Sequence, residues 1–328
     1  MNISQISEYL NSLNLPQYRQ KQILKNYFSG RYQNFSEMTD LPKDLRENLD
    51  KKFSLLSVSE IKLQQGTDTQ KVALKLGDDL AIESVLMDYD QWLTACLSSQ
   101  VGCPLNCAFC ATGKMGFKRN LTTEEIIDQI LYWNHKLFPK YVGRIVFMGM
   151  GEPFLNWDNL MAALKIIKTG LNIGSRKISI STAGVVPKIY EFADLDTEIN
   201  LAISLHAPNQ NIREKIMPIS KQYDFKDLIK SLNYYTAHTR RQLFLEYALI
   251  KDINDRQDCL DELIKILKSN SLFYLNLIPL NPIKGGLTPS PNLKLFSDTL
   301  QKNHLNFSLR QTFGQSIDSA CGQLITGI

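Results

Sequence analysis

The period of apolar positions changes along the chain. Up to about residue 52 the apolar residues recur at helical spacing, as in Ile3, Ile6, Tyr9 and Leu10, and again in Ile23, Leu24, Tyr27 and Phe28. Leu41-Pro42 punctuates the chain before another short helix over 43–51. Residues 53–90 read as extended, and KVALKLGDDLAIESVLM alternates apolar with polar positions around Gly77-Asp78-Asp79, a hairpin signal. Beyond this, short apolar runs alternate with amphipathic stretches. Strands are predicted over 94–98, 144–148, 177–181, 200–204, 243–249 and 273–278. Helices are predicted between them over 123–137, 160–169, 187–192, 225–236 and 257–268, the first opening on Thr122-Thr123-Glu124-Glu125, a capping box. A helix over 293–302 and a strand over 307–310 follow.

Alternating β and α units imply an α/β fold with a parallel sheet. Six such units make a partial (β/α)6 TIM-like barrel rather than the closed eight-fold one. The pattern divides the chain into a helical N-terminal domain (1–52), an extended β linker (53–92) and a core (93–328). No internal repeat or low-complexity tract appears. With 328 residues and 44% hydrophobic content the chain can bury a sizeable core. A net charge of +4 is compatible with nucleic acid without demonstrating it. The basic residues of the N-terminal segment fit either a small bundle packed on the core or an RNA-facing platform. No run approaches about 18 apolar residues, so no membrane span is predicted. The opening MNISQISEYL has neither the basic nor the apolar region of a signal peptide, so a cytoplasmic protein is expected. In that compartment six cysteines are not expected to form structural disulfides.

Three of the six, Cys103, Cys107 and Cys110, form a C-x3-C-x2-C run inside SSQVGCPLNCAFCATG. Three thiolates at this spacing can hold three irons of a [4Fe–4S] cluster and leave the fourth open for a ligand. That arrangement is the signature of radical S-adenosylmethionine (SAM) enzymes. Zinc is the alternative, but a structural zinc site takes four protein ligands, and the closest histidine is His135.

The run follows the first predicted core strand, and sites in parallel α/β folds gather at the carboxyl ends of strands. Other strand ends carry Gly149-Met150-Gly151-Glu152-Pro153, Ser181-Thr182, Ser204-Leu205-His206 and Asn281. The glycine pair is not a dinucleotide fingerprint, because the third glycine is missing and Pro153 interrupts the helix start. It reads instead as a turn admitting the methionine part of SAM, with Glu152 accepting from its ammonium group. Ser181 and Ser204 are candidate ribose contacts, and His206 is taken as part of the wall rather than a metal ligand or base. Cys321, in GQSIDSACGQL, is either a buried small residue or a thiol presented to a ligand, with Gly322 giving the backbone freedom. Cys96 is either core or faces the same pocket, and Cys259 reads as inert packing. Lys114, Lys118 and Arg119 are either phosphate contacts at the pocket mouth or solvated charges.

Across nearly its whole length the sequence resembles the RlmN/Cfr family of radical SAM RNA adenine methyltransferases. YRQKQILKNYF and MTDLPKDLRENL are similar to that family's N-terminal helical domain. IESVLM, CLSSQVGCPLNCAFCATGKMGFKRNLT, MGMGEPFLN, ISTAGVVP, ISLHAPN, NLIPLNP and IDSACGQL are similar to its successive motifs. The resemblance implies that Cys103, Cys107 and Cys110 ligate the cluster, and that Gly151, Glu152, Ser181, Ser204, Leu205, His206 and Asn281 bind SAM. It implies that Cys321 becomes S-methylated, that Cys96 resolves a covalent enzyme–RNA intermediate, and that Glu83 accepts a proton. Alternation alone would make Glu83 a solvated strand residue. Ser316 stands where the family often has aspartate, while the neighbouring Asp318 is kept.

The implied chemistry uses two SAM molecules per turnover and one [4Fe–4S] cluster. One SAM methylates Cys321; the second yields a radical that activates the S-methyl group for addition to carbon 2 of adenine. A disulfide between Cys96 and Cys321 then releases the methylated RNA. The implied partners are 23S rRNA at the peptidyl-transferase centre, tRNA at adenosine 37, and a one-electron reductant such as flavodoxin, with no DNA and no membrane. The closest rival is a carbon-8 adenine methyltransferase of the Cfr type; Pro153 after Gly-Glu and Val101-Gly102 before the first ligand favour carbon 2. A glycyl-radical activase would not need Cys96 and Cys321, and a non-catalytic RNA-binding module would hold only a structural metal.

Overall fold

The computed structural model describes residues 3–283, 285–310, 314 and 317–324. Helices α1 (Ile3–Ser12), α2 (Gln17–Phe28) and α3 (Lys43–Lys52) form the N-terminal bundle. Its apolar positions turn inward: Ile6, Leu10, Ile23, Tyr27, Leu45 and Leu49 are all buried. A buried carboxylate, Asp128, fastens this bundle to the core. It accepts from the Tyr27 hydroxyl and, at 2.6 Å each, from the backbone N–H and hydroxyl of Ser57.

Next come β1 (Ser59–Gln65), β2 (Thr69–Lys75), β3 (Ala81–Asp88) and β4 (Leu93–Cys96). A small hairpin, β5 (Gln100–Gly102) and β6 (Phe117–Asn120), flanks a one-turn helix, α4 (Ala111–Lys114). The chain then runs through α5 (Thr123–Leu137), β7 (Arg144–Phe147), α6 (Trp157–Thr169), β8 (Ile178–Thr182), α7 (Val186–Ala193) and β9 (Asn200–Ser204). It continues with α8 (Gln210–Ile216), α9 (Phe225–Thr239), β10 (Leu243–Leu249), α10 (Gln257–Lys268), β11 (Phe273–Pro279), α11 (Leu293–Lys302) and β12 (Phe307–Leu309). Thr122 and Glu125 make the expected reciprocal capping box on α5.

Ten strands form one sheet in the order β1-β2-β3-β4-β7-β8-β9-β10-β11-β12. The pairs from β1 to β4 are antiparallel, and all pairs from β4 to β12 are parallel. Among the described residues β1 and β12 stay at opposite edges, so the barrel is partial, as the six-unit pattern predicts. Two elements escape that pattern. Helix α8 is too short to show a period; it is set instead by Asn209, whose side chain accepts from the Ile212 N–H at 3.1 Å. The β5–β6 hairpin depends on close backbone approach. A Cβ on Gly102 would lie 1.7 Å from the Gly116 carbonyl oxygen, and φ there is +72°.

Pairing register places the inner face. Val85 on β3 opposes Cys96 on β4, which opposes Val146 on β7. Ser181 opposes Ala202, Glu246 opposes both Ser204 and Asn276, and Asn276 opposes Ser308. Opposed residues share a face, so these side chains line one concave surface, capped at the strand ends by the cysteine loop and the Cys321 segment.

Candidate active site

The cysteine run leaves β5 and returns through β6, which fixes both ends of its loop. Ser98 braces the approach: its N–H donates to Gln129 Oε1 at 2.8 Å, and its hydroxyl accepts from the Met150 N–H at 2.9 Å and donates to the Glu83 carbonyl at 2.6 Å. Cys103, Cys107 and Cys110 all face one cavity. Burial pushes the Cys103 thiol up to about 12 and Cys107 in the same direction. Thiols this buried ionise only when a cation takes the proton's place. Among the described residues no three His, Cys, Asp or Glu converge on a single-ion site. A cubane asks for something else, one thiolate per iron, and this donor set fits it.

Gly151, Glu152, Ser181, Ser204, His206, Asn281 and Cys321 line the same cavity. Gly151 has φ +98°, and a Cβ there would lie 2.5 Å from Gln100 Cβ, so the turn admits only glycine. Glu152 is pinned: its carboxylate accepts from the Ala183 N–H at 2.7 Å and the Phe154 N–H at 3.0 Å. Burial raises its pKa, and those hydrogen bonds oppose the rise. His206 accepts the Ala248 N–H on Nδ1 at 2.9 Å and meets the Phe109 ring edge-on, which fixes it in the cavity wall. Burial, then Arg213 and Arg310, push it down to about 3, so it is neutral. Leu205 does not line the cavity; its side chain is buried, and its backbone bonds Glu246 and Arg213 instead.

Cys321 is held at the cavity wall by backbone anchors. Asn281 Nδ2 donates to its carbonyl at 3.2 Å, the Ala111 N–H donates to the Gly322 carbonyl at 2.7 Å, and the Thr112 hydroxyl to the Leu324 carbonyl at 2.6 Å. Two of these three donors sit just after the cysteine run, so the two cysteine-bearing segments are coupled. Ser316 lies outside the described residues. Beside Cys321 is a second, small cavity, whose walls include both Cys321 and Cys96. Cys96 is fully enclosed, and burial pushes its thiol up to about 12, with Cys321 adding to the rise. Glu83 lines neither cavity. It lies two residues from Val85 on the same face of β3, buried in an ion pair with Lys71 at 3.1 Å. Lys71 Nζ also donates to the Asp318 carbonyl at 3.1 Å, which ties Glu83 to the Cys321 segment.

Lys71, Glu246 and Arg310 escape the sequence reading. Arg310 lines both cavities, pairs with Glu246 at 3.1 Å and lies 3.1 Å from Met148 Sδ. Cys321 pushes its pKa up, against the opposing pull of burial, with Glu246 adding to the rise. The available signal is a charge inside an apolar run, as in LFLEYAL. Arg119 is committed to Asp78 at 2.6 Å and Glu125 at 2.8 Å, while Lys114 and Lys118 remain exposed.

A three-thiol loop at the mouth of an open parallel α/β barrel defines the class, a radical SAM enzyme. The Radical SAM superfamily pattern matches residues 97–265, and that of the ribosomal RNA large subunit methyltransferase N-terminal domain matches residues 1–55. Two relatives named as probable dual-specificity RNA methyltransferases RlmN are similar over almost the full chain. The one from Dictyoglomus thermophilum is 41% identical over 98% of this chain and 94% of its own; the one from Exiguobacterium sibiricum is 39% identical over 99% and 94%. The crystal structure of a radical SAM methyltransferase from Sphaerobacter thermophilus superposes with a TM-score of 0.92 at 35% identity, covering 99% of this chain and 97% of that one. The chain belongs to the RlmN family of radical SAM methyltransferases. Membership brings a [4Fe–4S] cluster and SAM as cofactors. No helix among the described residues is long and apolar enough to cross a membrane.

Proposed function

We propose that this protein methylates carbon 2 of an adenine in the peptidyl-transferase centre of 23S rRNA, and of adenosine 37 in tRNA, through a methyl group carried on Cys321. One observation carries the reading: Cys321 stands in the wall common to two cavities, with Cys103, Cys107 and Cys110 around one and Cys96 in the other. The N-terminal match to a large-subunit rRNA methyltransferase domain and the dual-specificity relatives support the choice of RNA.

Cys103, Cys107 and Cys110 would hold the cluster, while Gly151, Glu152, Ser181, Ser204, His206 and Asn281 frame the SAM site. Leu205 supports it from behind through its backbone. The Cys321 thiolate takes a methyl from SAM, forming a thioether as the sulfonium–methyl bond breaks. When bound, the cluster and a second SAM supply the one-electron chemistry that removes a hydrogen atom from that thioether methyl. The activated methylene on Cys321 then bonds to carbon 2 of the ring, tethering RNA to the protein, and the unpaired electron this leaves on the ring would be taken back by the same one-electron chemistry that supplied it. Glu83 accepts the proton that leaves carbon 2. Cys96 gives up its thiol proton as it attacks the Cys321 sulfur; the sulfur–carbon bond breaks, its electron pair goes to the methylene, and that carbon takes a proton to become methyl. The resulting disulfide is reduced for the next turnover, and a one-electron donor such as flavodoxin serves the cluster. Segment 1–52 acts as the RNA-facing domain, and segment 53–92 joins it to the core while adding β1–β3 to the same sheet.

The test is anaerobic reconstitution followed by incubation with 23S rRNA and tRNA fragments and mass spectrometry of the nucleosides. The expected product is 2-methyladenosine, and Cys321→Ala is expected to abolish it while SAM cleavage persists. Finding 8-methyladenosine without 2-methyladenosine, or full methylation by Cys321→Ala, overturns the reading.

A further inference from the structure

Arg213, on α8, is a cation with 1% of its surface exposed. Among the described residues its fork meets only uncharged oxygens. Nε donates to the Leu205 carbonyl at 3.1 Å and Nη1 to the Ser220 hydroxyl at 2.6 Å. Nη2 donates to the carbonyls of Ala183 at 2.6 Å and Ser204 at 3.0 Å. These dipoles satisfy the N–H groups but leave the charge uncancelled, and a buried charge is costly unless an opposite charge stands near it. Burial pushes the pKa of Arg213 down to about 10, and Cys107 pulls it the other way.

The backbone brings the two together. The Ala108 N–H, one residue after Cys107, donates to the Ile216 carbonyl at 2.9 Å, so α8 lies against the cysteine loop with Arg213 one turn back along the helix. Ala183 and Ser204, whose carbonyls Arg213 grips, line the cavity that the three cysteines face, and Arg213 itself does not. The guanidinium thus stands behind the cavity wall, shut off from solvent and locked to the ends of β8 and β9.

We propose that Arg213 is the buried counter-charge of the iron–sulfur cluster, and that it favours the cluster's reduced form. This rests on Cys103, Cys107 and Cys110 as the cluster's ligands. The cubane carries two positive charges when oxidised and one when reduced, so three thiolates bring the site to a net charge of minus one and then minus two. The electron comes from an external one-electron donor, and no proton accompanies it. A fixed cation in a medium of low dielectric stabilises the more negative state more strongly.

The experiment is an anaerobic redox titration of the reconstituted protein without SAM, using dithionite and dye mediators, with the reduced cluster followed by electron paramagnetic resonance. Iron and sulfide content scores loading first. Arg213→Gln keeps an amide and removes the charge. Ser220→Asp keeps the guanidinium and gives it a carboxylate in place of the hydroxyl it now holds. Both are expected to lower the equilibrium constant for reduction about ten-fold, a shift of about 59 mV to more negative potential. Arg213→Lys keeps the charge without the fork and is expected to stay closer to wild type than to Arg213→Gln. A wild-type potential in every neutralised variant that loads overturns the proposal. An equal shift in Arg213→Lys and Arg213→Gln also overturns it, since a purely structural brace behaves that way. Ser220→Asp decides alone if Arg213→Gln takes up no cluster. The ligand assignment is scored separately: wild-type protein that takes up no iron and sulfide, or Cys107→Ala that loads like wild type, sinks it whatever Arg213 does.

Discussion

Lys71→Met tests whether the β2–β3 ion pair serves the reaction or only the fold. Lys71 and Glu83 are both almost fully enclosed, with 6% of each side chain exposed and 3.1 Å between the charges. Methionine keeps the alkyl stem and removes the ammonium. Breaking a buried pair by removing one partner costs about 3–5 kcal/mol when the charge remains. The cost is capped, because Glu83 can take a proton instead: neutralising a carboxyl of ordinary pKa at pH 7 costs about 3.7 kcal/mol. The lost bond from Lys71 to the Asp318 carbonyl adds about 1 kcal/mol. A loss of about 4–5 kcal/mol at pH 7 is expected in urea unfolding followed by tryptophan fluorescence. Glu83→Gln added to Lys71→Met should recover most of it. The two readouts should then move oppositely with pH. Stability of Lys71→Met rises as pH falls from 7 toward 5, since the buried carboxyl then protonates at little cost. RNA methylation by the same variant rises as pH increases, since a proton acceptor must be ionised. Strict additivity of the two substitutions, or a methylation rate that tracks stability across pH, would refute the reasoning.

Cys96→Ala should leave RNA attached to Cys321, seen as a band that survives denaturing electrophoresis and disappears with Cys321→Ala; free methylated RNA at the wild-type rate would contradict the resolving role. The neutral, buried His206 should make the fold acid-sensitive. Its folded pKa is pushed down to about 3, so its contribution is complete above the ordinary value near 6.5 and is lost as pH falls toward 3. The slope should be about 1.4 kcal/mol per pH unit in that window, read as the difference between wild type and His206→Asn in urea midpoints. An equal slope in both proteins would locate the acid sensitivity elsewhere.

Much of this architecture is legible in the sequence because its helices are amphipathic and its parallel strands short and apolar. Helices α5, α10 and α11 fall on the residues their periodicity predicts. The cysteine run is legible because three thiols crowd into eight residues, at the spacing a cluster asks for. The meeting of Cys96 with Cys321 is not, since it depends on a C-terminal segment returning over the strand ends, held by Asn281, Ala111 and Thr112.

Glu83 shows where alternation misleads. The rule that polar positions of a strand face water assumes a sheet with one covered face. Strand β3 is covered on both: Ser84 is buried on one side, where its hydroxyl accepts from Trp133 Nε1 at 3.0 Å, while Glu83 is buried on the other against Lys71. In such a strand the alternation still sorts residues by face, but the polar position meets a buried partner on the next strand instead of solvent. The same holds for Glu246 in β10, buried among apolar neighbours and paired with Arg310 in the wall of the cysteine-lined cavity. A charge is retained in a central strand against its desolvation cost only with a partner or a task. Glu246–Arg310 stands in the wall of the cavity that Cys321 lines, and Lys71–Glu83 reaches the Cys321 segment through the Asp318 carbonyl, so each buried pair has a partner and a place beside that segment.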